Sequence, residues 1–442
     1  MSKSSSRGRR IPPEPKRRSW FNRLSPEVRV IGLVVVSVIA VVVFIAWPRP
    51  EPREPQAIAV VIPADEALHT AFQEARRTFI AAHKDMDIVL VEAGEDKMPA
   101  YEAMWREGEA KGAAAQPTPG QPSKGRAAPE RETKPPGKAK PTGVDLIIGG
   151  EGYLGRWARA GLLESWDEFL AQREVRLSEA ALEAGRISGK QQMLPLALEL
   201  PAIGLTPPAG MVNATEVTQP ESLRALADLA ARLSQTARPA LDARWAGVWS
   251  EAVLLATAHA AAGRDENVRM MFGRTGEALA WWRHGIETGW ALKPRMGPAN
   301  YTAPLLWAGQ RAWFEKRGDK AQLLLPPGAQ DTGTVCVVYG ALLPARSQHK
   351  DAARQFAAHL LSFRSQRSLA ERTGLLPAAV GPWGKLGGAQ WKALEGAAAR
   401  SVPLPAELRD AEVVKRFRQT ALACLRGEES PQAGAAELAK LW

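Results

Sequence analysis

The sequence predicts an α/β fold, a sheet of parallel strands with helices packed on it, preceded by one amino-terminal transmembrane helix. Three observations carry this. First, AIAVVIP (57–63), an apolar run rich in β-branched residues, is followed by ADEALHTAFQEARRTFIAAH and then by DIVLVEAG. The middle stretch has apolar residues at Leu68, Ala71, Phe72, Ala75 and Phe79, the i, i+3, i+4 spacing of an amphipathic helix. The three segments therefore read strand, helix, strand, the unit of a parallel sheet. Second, VDLII (144–148) and TVCVVYGALL (334–343) are further strand-like runs set among helical stretches. Third, residues 30–47, VIGLVVVSVIAVVVFIAW, hold no charge and would measure ~27 Å as a helix, close to the hydrocarbon thickness of a bilayer.

From the amino end, residues 1–29 carry nine Lys and Arg against Glu14 and Glu27. This basic arm flanks the apolar run on one side, whereas PRPEPREP follows on the other, so the arm is expected to stay in the cytoplasm and the body to lie outside. The competing reading is a cleaved secretory signal. Against it, the run is long for a signal peptide and ends in Ala46-Trp47-Pro48 without a small-x-small cleavage site. Residues 48–56 form a Pro-rich stalk. Residues 109–142 hold Pro, Gly, Lys, Ala and Thr with almost no large apolar side chain, so they cannot offset their own ordering entropy. They are expected to be a disordered insertion within the first domain, because VDLII resumes the sheet directly afterwards; a charged tether for a partner is the other reading.

Further along, QQMLPLALELPAIGLT gives an extended apolar run interrupted by Pro195 and Pro201, and prolines restrict such strands to edges or crossovers. PESLRALADLAARLSQT (220–236) has Pro at its start and Leu223, Leu226, Leu229 and Leu233 on one face of a helix. WAGVWSEAVLLATAHAAAG and GEALAWWRHGIETGW read as two more helices, KDAARQFAAHLLSFRSQRSLAERTG as one long helix, and the carboxyl end as helical and Ala-rich.

Several function classes lose support. The formal charge of +11 resides in residues 1–29, with a surplus of seven, and in 109–142, where seven Lys and Arg face three Glu. The rest of the chain balances to zero and has no interleaved basic and aromatic motif, which argues against nucleic acid. The six histidines form no HExxH spacing, no G-x-S-x-G elbow occurs, and a Walker-type phosphate loop is missing, so no enzyme, metal or cofactor is expected. Cys336 and Cys424 sit in apolar runs and are expected to be buried and unpaired, pairing being the alternative. GGEGYLGRW (149–157) contains Gly150-x-Gly152-x-x-Gly155, the spacing of a dinucleotide turn. Its support is incomplete: Glu164, Asp167 and Glu168 lie in helical surroundings rather than at the end of a second strand. A strand-to-helix loop at a cleft mouth fits better. Fifteen tryptophans, several in the group Trp245, Trp249, Trp281, Trp282, Trp290, Trp307 and Trp313, serve either core packing or the stacking faces that bind sugars and similar ligands.

The order of elements resembles the family 1 extracellular solute-binding proteins, the maltose-binding-protein-like receptors of ABC importers. The likeness covers most of 57–380. VDLIIGGEGYLGRWARAGLLESWDEF is similar to the family's strand, ligand-side turn, helix and GLL-containing stop, and QQMLPLALELPAIGLT to its crossover. GALLPARSQHKDAARQFAAHLLSFRSQRSLAERTGLLPA, the most specific segment, is similar to the helix pair ending in G-x-L-P. Where the family writes L-Y-Y-N this chain has AIGLT, and W-D-E-L is here SLRAL.

The resemblance implies a two-lobed type II periplasmic-binding-protein-like fold. Lobe 1 would take 57–197 and 333–378, lobe 2 would take 198–332 and 379–442, and hinge crossovers would join them. It also implies a membrane-anchored extracytoplasmic receptor on the bacterial cytoplasmic membrane that hands a small solute to an ABC permease. With strand ends and loops facing the cleft, the expected ligand contacts are Asp65, Glu151, Tyr153, Glu199, Trp249 and Trp307. These residue types favour a neutral polyol or sugar over an anion, and four tyrosines in all disfavour an iron site. The alternative is a degenerate binding fold acting as an anchored scaffold or sensory module.

Overall fold

The computed structural model describes residues 56–93, 100, 102, 143–150, 152, 154–201, 203–205, 219–234, 241–242, 250–262, 274–291, 322–381 and 388–441. The basic arm, the apolar run 30–47 and the insertion 109–142 lie outside them. Among the described residues no helix is long and apolar enough to cross a membrane.

The first strand, β1 (Gln56–Pro63), begins one residue earlier than the sequence predicts, and α1 (Glu66–Ala82) and β2 (Met86–Ala93) complete the β-α-β unit. The chain continues with β3 (Leu146–Gly149), α2 (Leu154–Arg159), β4 (Leu194–Glu199), β5 (Ile203–Leu205), α3 (Leu223–Leu233), β6 (Leu241–Asp242), α4 (Ser250–Ala262) and α5 (Thr275–Glu287). After these come β7 (Gln322–Leu324), β8 (Val335–Leu342), α6 (Lys350–Leu360), α7 (Phe363–Thr373), β9 (Leu376–Pro377), α8 (Gly388–Arg400), β10 (Val402–Pro403), α9 (Ala411–Arg426) and α10 (Pro431–Leu438).

The main sheet runs β9-β4-β8-β3-β1-β2, with β10 pairing the start of β8. β1 is parallel to β2 and β3, while β8 is antiparallel to both β3 and β4. A second sheet, β6-β5-β7, is antiparallel throughout.

Two of the sequence expectations change. Pro195 lies in β4, which is an interior strand rather than an edge. The register against β8 shifts between Tyr339 and Gly340, so the ladder skips a residue where Pro195 has no N–H to give. Gly340 allows this: a Cβ there would fall 2.3 Å from Met193 Cγ and 2.7 Å from the Leu194 carbonyl oxygen. The expected single helix over 350–373 is a pair, as the family resemblance implies. Ser362 breaks it by accepting the Ser365 N–H as the cap of α7.

Two apolar cores follow from the two sheets. The first gathers β1, α1, β3, β4, α6 and α7 around Phe79, Ile88, Trp157, Trp166 and Phe356, and also takes Leu394 and Ala397 of α8. The second gathers α3, α4, α5, α9 and α10 around Leu254, Trp282, Trp290 and Phe417. Each fully buried side chain of this size contributes about 1.5–3 kcal/mol of transfer free energy. Because side chains alternate along a strand, β8 serves both: Cys336 and Val338 enter the first core, Val335 and Val337 the second. Tyr339 packs against both. Both cysteines are buried and neither forms a disulfide.

Candidate functional site

Strand direction decides which residues meet. Since β8 opposes both β3 and β4, those two run the same way, and β1 runs with β3. The carboxyl ends of β1, β3 and β4 therefore share one edge of the sheet, where Pro63, Gly149 and Glu199 end their strands. Three strand spacings separate β1 from β4, so this edge is ~14 Å across.

Asp65 lies two residues past β1 and is exposed. Its extended backbone makes it the N-cap of α1, and Oδ1 accepts the Leu68 N–H at 2.8 Å. One carboxylate oxygen thus shapes the turn at the edge. Glu199 closes β4 and is 4% exposed. Its Oε2 accepts the Tyr339 hydroxyl at 3.2 Å, across the β4–β8 pair and beside the point where β4 hands over to β5 of the second sheet. Asp65 and Glu199 share the edge without touching. The other four candidates, Glu151, Tyr153, Trp249 and Trp307, lie outside the described residues.

The loop after β3 has a clear support. α2 buries Leu154 and Trp157, and Trp157 Nε1 donates to Glu102 at 3.2 Å while Arg156 Nε lies 2.9 Å from the same carboxylate. Glu102 is 3% exposed, so a buried acid fixes the helix that begins where the loop ends. A Cβ at Gly149 or Gly152 would meet no atom within 4 Å. These glycines border open space rather than a close neighbour. Helix α2 stops at Arg159 after six residues, so the helix that a dinucleotide phosphate needs is short.

Trp157, Trp166, Trp282 and Trp290 are buried in the two cores. Trp282 is fully buried and its Nε1 donates to Thr257 Oγ1 at 3.0 Å; Trp281 meets Trp290 edge-on at 4.8 Å. A Ser, Asp and His do come together: Asp145 Oδ1 accepts the Ser347 hydroxyl at 2.8 Å and lies 3.3 Å from His349 Nδ1, while Oδ2 accepts the Ala59 N–H at 3.0 Å. The arrangement differs from a nucleophile and its base. Ser347 gives its hydrogen to the carboxylate and accepts the His349 backbone N–H at 3.2 Å, so the three form a clamp on the turn after β8. Burial holds the Cys424 thiol up at about 11, which keeps it protonated. Among the described residues no group of three or more His, Cys, Asp and Glu is placed to hold a metal ion.

Tyr339 and Glu102 were not evident from the sequence. For Tyr339 the signal was a single polar ring in an otherwise aliphatic strand; for Glu102 there was none, because its partners are more than fifty residues away.

No sequence family and no curated protein matches the chain. Solved structures do. The chain is similar to the GacH receptor of Streptomyces glaucescens, determined unliganded and with acarbose, at 16% identity over 87% of this chain and 97% of that one, with a TM-score of 0.64. It is similar to the cyclic alpha-maltosyl-1,6-maltose binding protein of Arthrobacter globiformis at 16% identity, 88% and 98% coverage and a TM-score of 0.62. The sugar-binding protein MalE of Xanthomonas citri gives 15% identity, 87% and 96% coverage and a TM-score of 0.60. The fold is therefore the α/β two-lobed fold of the maltose- and maltodextrin-binding type, as the order of elements implied.

Proposed function

We propose that this protein is an extracytoplasmic receptor that captures a small neutral solute, a sugar or oligosaccharide, between two lobes and delivers it to an ABC permease. The observation that carries the reading is the match of nearly the whole chain to receptors that bind acarbose and cyclic or linear malto-oligosaccharides. The proposed lobes correspond to the two cores for the most part, exceptions including Leu394 and Ala397 of α8 in the first core and Val335 and Val337 of β8 in the second. Lobe 1 is built on the main sheet over 57–197 and 333–378, lobe 2 on the second sheet over 198–332 and the carboxyl-terminal helices within 379–442. The chain crosses between them at 200–202, at 325–334 and again after β9.

Asp65 and Glu199 stand at the sheet edge that faces such a cleft, and supply carboxylate acceptors for sugar hydroxyls. Glu151, Tyr153, Trp249 and Trp307 complete the proposed set, the aromatic rings stacking on the apolar faces of the sugar. The uncharged run 30–47 holds the chain in the membrane with residues 1–29 in the cytoplasm, because it has the length of a bilayer span and a basic flank. No step of this reading needs a cofactor or bond-making chemistry.

The test is thermal unfolding of the full-length chain with maltotriose, maltotetraose, acarbose, amino acids and short peptides in turn. A ligand present at a hundred times its Kd stabilises by about 2.7 kcal/mol, which raises the midpoint by several degrees. A rise with one carbohydrate and not with amino acids or peptides supports the receptor. No rise across the panel favours the anchored scaffold.

A further inference from the structure

One face of the main-sheet unit carries an exposed aromatic side chain that neither the fold nor the proposed cleft uses. The chain enters the body at Gln56, whose N–H donates to the Asp85 carbonyl at 2.8 Å. That contact puts the entry point beside the turn between α1 and β2, His83-Lys84-Asp85. The turn between α6 and α7 packs on the same end of α1: His359 Nε2 lies 2.9 Å from Thr78 Oγ1, and the Phe79 ring meets His83 at 4.4 Å and His359 at 5.5 Å. Two turns and the entry of the chain thus form one surface.

On that surface Phe363 is 52% exposed, as the first residue of α7, next to exposed Arg364. Lys84 is exposed as well, and neither Lys84 nor Arg364 makes an ion pair among the described residues. Exposed Asp85 is one opposing charge; Glu74, which Arg372 ion-pairs, is a second and also feels the Arg364 charge, while Arg367 is matched by Glu371 at 2.7 Å. β1 leads away from this face, so Asp65 and the proposed binding edge lie at the other end of the strand.

We infer that this face rests on anionic phospholipid headgroups, with Phe363 entering the interface and Lys84 and Arg364 meeting the phosphates. The length of chain outside the body selects this occupant. Only residues 48–55 separate the apolar run from β1, four of them proline, and covalent geometry limits eight residues to about 28 Å at most. The entry point of the body is therefore held within that distance of wherever the run ends. An aromatic side chain flanked by cations is the composition that suits a headgroup layer. This inference rests on the reading of 30–47 as an anchor.

The experiment uses the full chain reconstituted in vesicles of phosphatidylcholine, with and without phosphatidylglycerol. A spin label at Phe363→Cys reports the face, one at Glu287→Cys in α5 serves as the control, and buried Cys336 and Cys424 remain unlabelled. With phosphatidylglycerol the label at 363 should be shielded from a water-soluble relaxation agent while the control is not. Two cations near an anionic surface make docking about 30-fold more favourable, so the double variant Lys84→Gln and Arg364→Gln should lose the shielding, as should high salt. Alkaline extraction of the same vesicles reports the anchor separately. Retention with an unshielded label at 363 overturns the docking face and leaves the anchor standing. Release by alkali overturns the anchor, and the docking face with it.

Discussion

Tyr339→Phe deletes one oxygen and leaves the ring against both cores, which isolates the bond between β8 and the last residue of β4. In the wild-type chain that hydroxyl donates to Glu199 at 3.2 Å, and Glu199 is 4% exposed, so water replaces the lost donor poorly. Hydrogen bonds to charged groups contribute about 1.5–3 kcal/mol. Because Tyr339 is only half-buried and the bond is long, the lower end applies, about 1.5 kcal/mol. The assay is urea unfolding of the wild type, Tyr339→Phe, Glu199→Gln and the double variant, followed by circular dichroism. A coupling near 1 kcal/mol between the two sites is the expected result, since contacting residues depart from additivity by about 0.5–3 kcal/mol. Solute affinity separates the roles further. Tyr339→Phe should leave it nearly unchanged, whereas Glu199→Gln, which removes a charged acceptor, should weaken it at least tenfold, about 1.4 kcal/mol. Additive single-site effects, within about 0.3 kcal/mol, would show that the pair does not act as a unit and refute the reasoning.

Other perturbations give equally definite outcomes. Asp65→Ala removes the cap of α1 and should cost about 1 kcal/mol of stability, with Asp65→Ser recovering most of it; if Asp65 also binds solute, serine will not restore affinity. Asp145→Ala strips acceptors from the Ala59 N–H and the Ser347 hydroxyl in a buried site and should cost about 3 kcal/mol by urea titration; a loss under about 1 kcal/mol would mean that the clamp is dispensable. Burial lowers the pKa of both His259 and His359, so the unfolded chain binds more protons than the folded one just below the ordinary value of 6.5. Their contribution is thus fully present above 6.5 and is lost as the pH falls from there through the lowered values. The hydrogen bond from Arg372, first among several causes, lowers Glu74 and adds a loss of the same sign below 4.5. The unfolding midpoint should fall between pH 7 and 5, and fall less in a His259→Gln, His359→Gln variant; an unchanged slope would contradict the assignment.

The fold was legible where one segment decides its own structure. Helix α1 has Phe72, Ala75 and Phe79 on one face and buries them, and β1, β3 and β8 are nearly continuous apolar runs that end up inside the sheet. What could not be seen was set by partners far along the chain. Pro195 argued for an edge, yet the register shift opposite Gly340 lets it sit inside, and the shift depends on Met193 filling the space beside a glycine nearly 150 residues away. Ser362 looked like one polar residue in a long helix, since helical period says nothing about which serine turns to cap. At the site, strand order brings Asp65 and Glu199 to one edge of the sheet. The chemistry at that edge was less visible: the Glu199 carboxylate accepts the Tyr339 hydroxyl from a ring that packs against both cores, a pairing 140 residues apart that no local pattern announces.

The most direct test is titration calorimetry of the full-length chain with the best carbohydrate from the unfolding screen, beside Glu199→Gln. A solute receptor predicts saturable binding at one site, with Kd near a micromolar, about −8 kcal/mol, and at least tenfold weaker binding in the variant. No saturable heat with any malto-oligosaccharide or acarbose, from a chain that unfolds cooperatively, would contradict the assignment of a sugar-binding cleft.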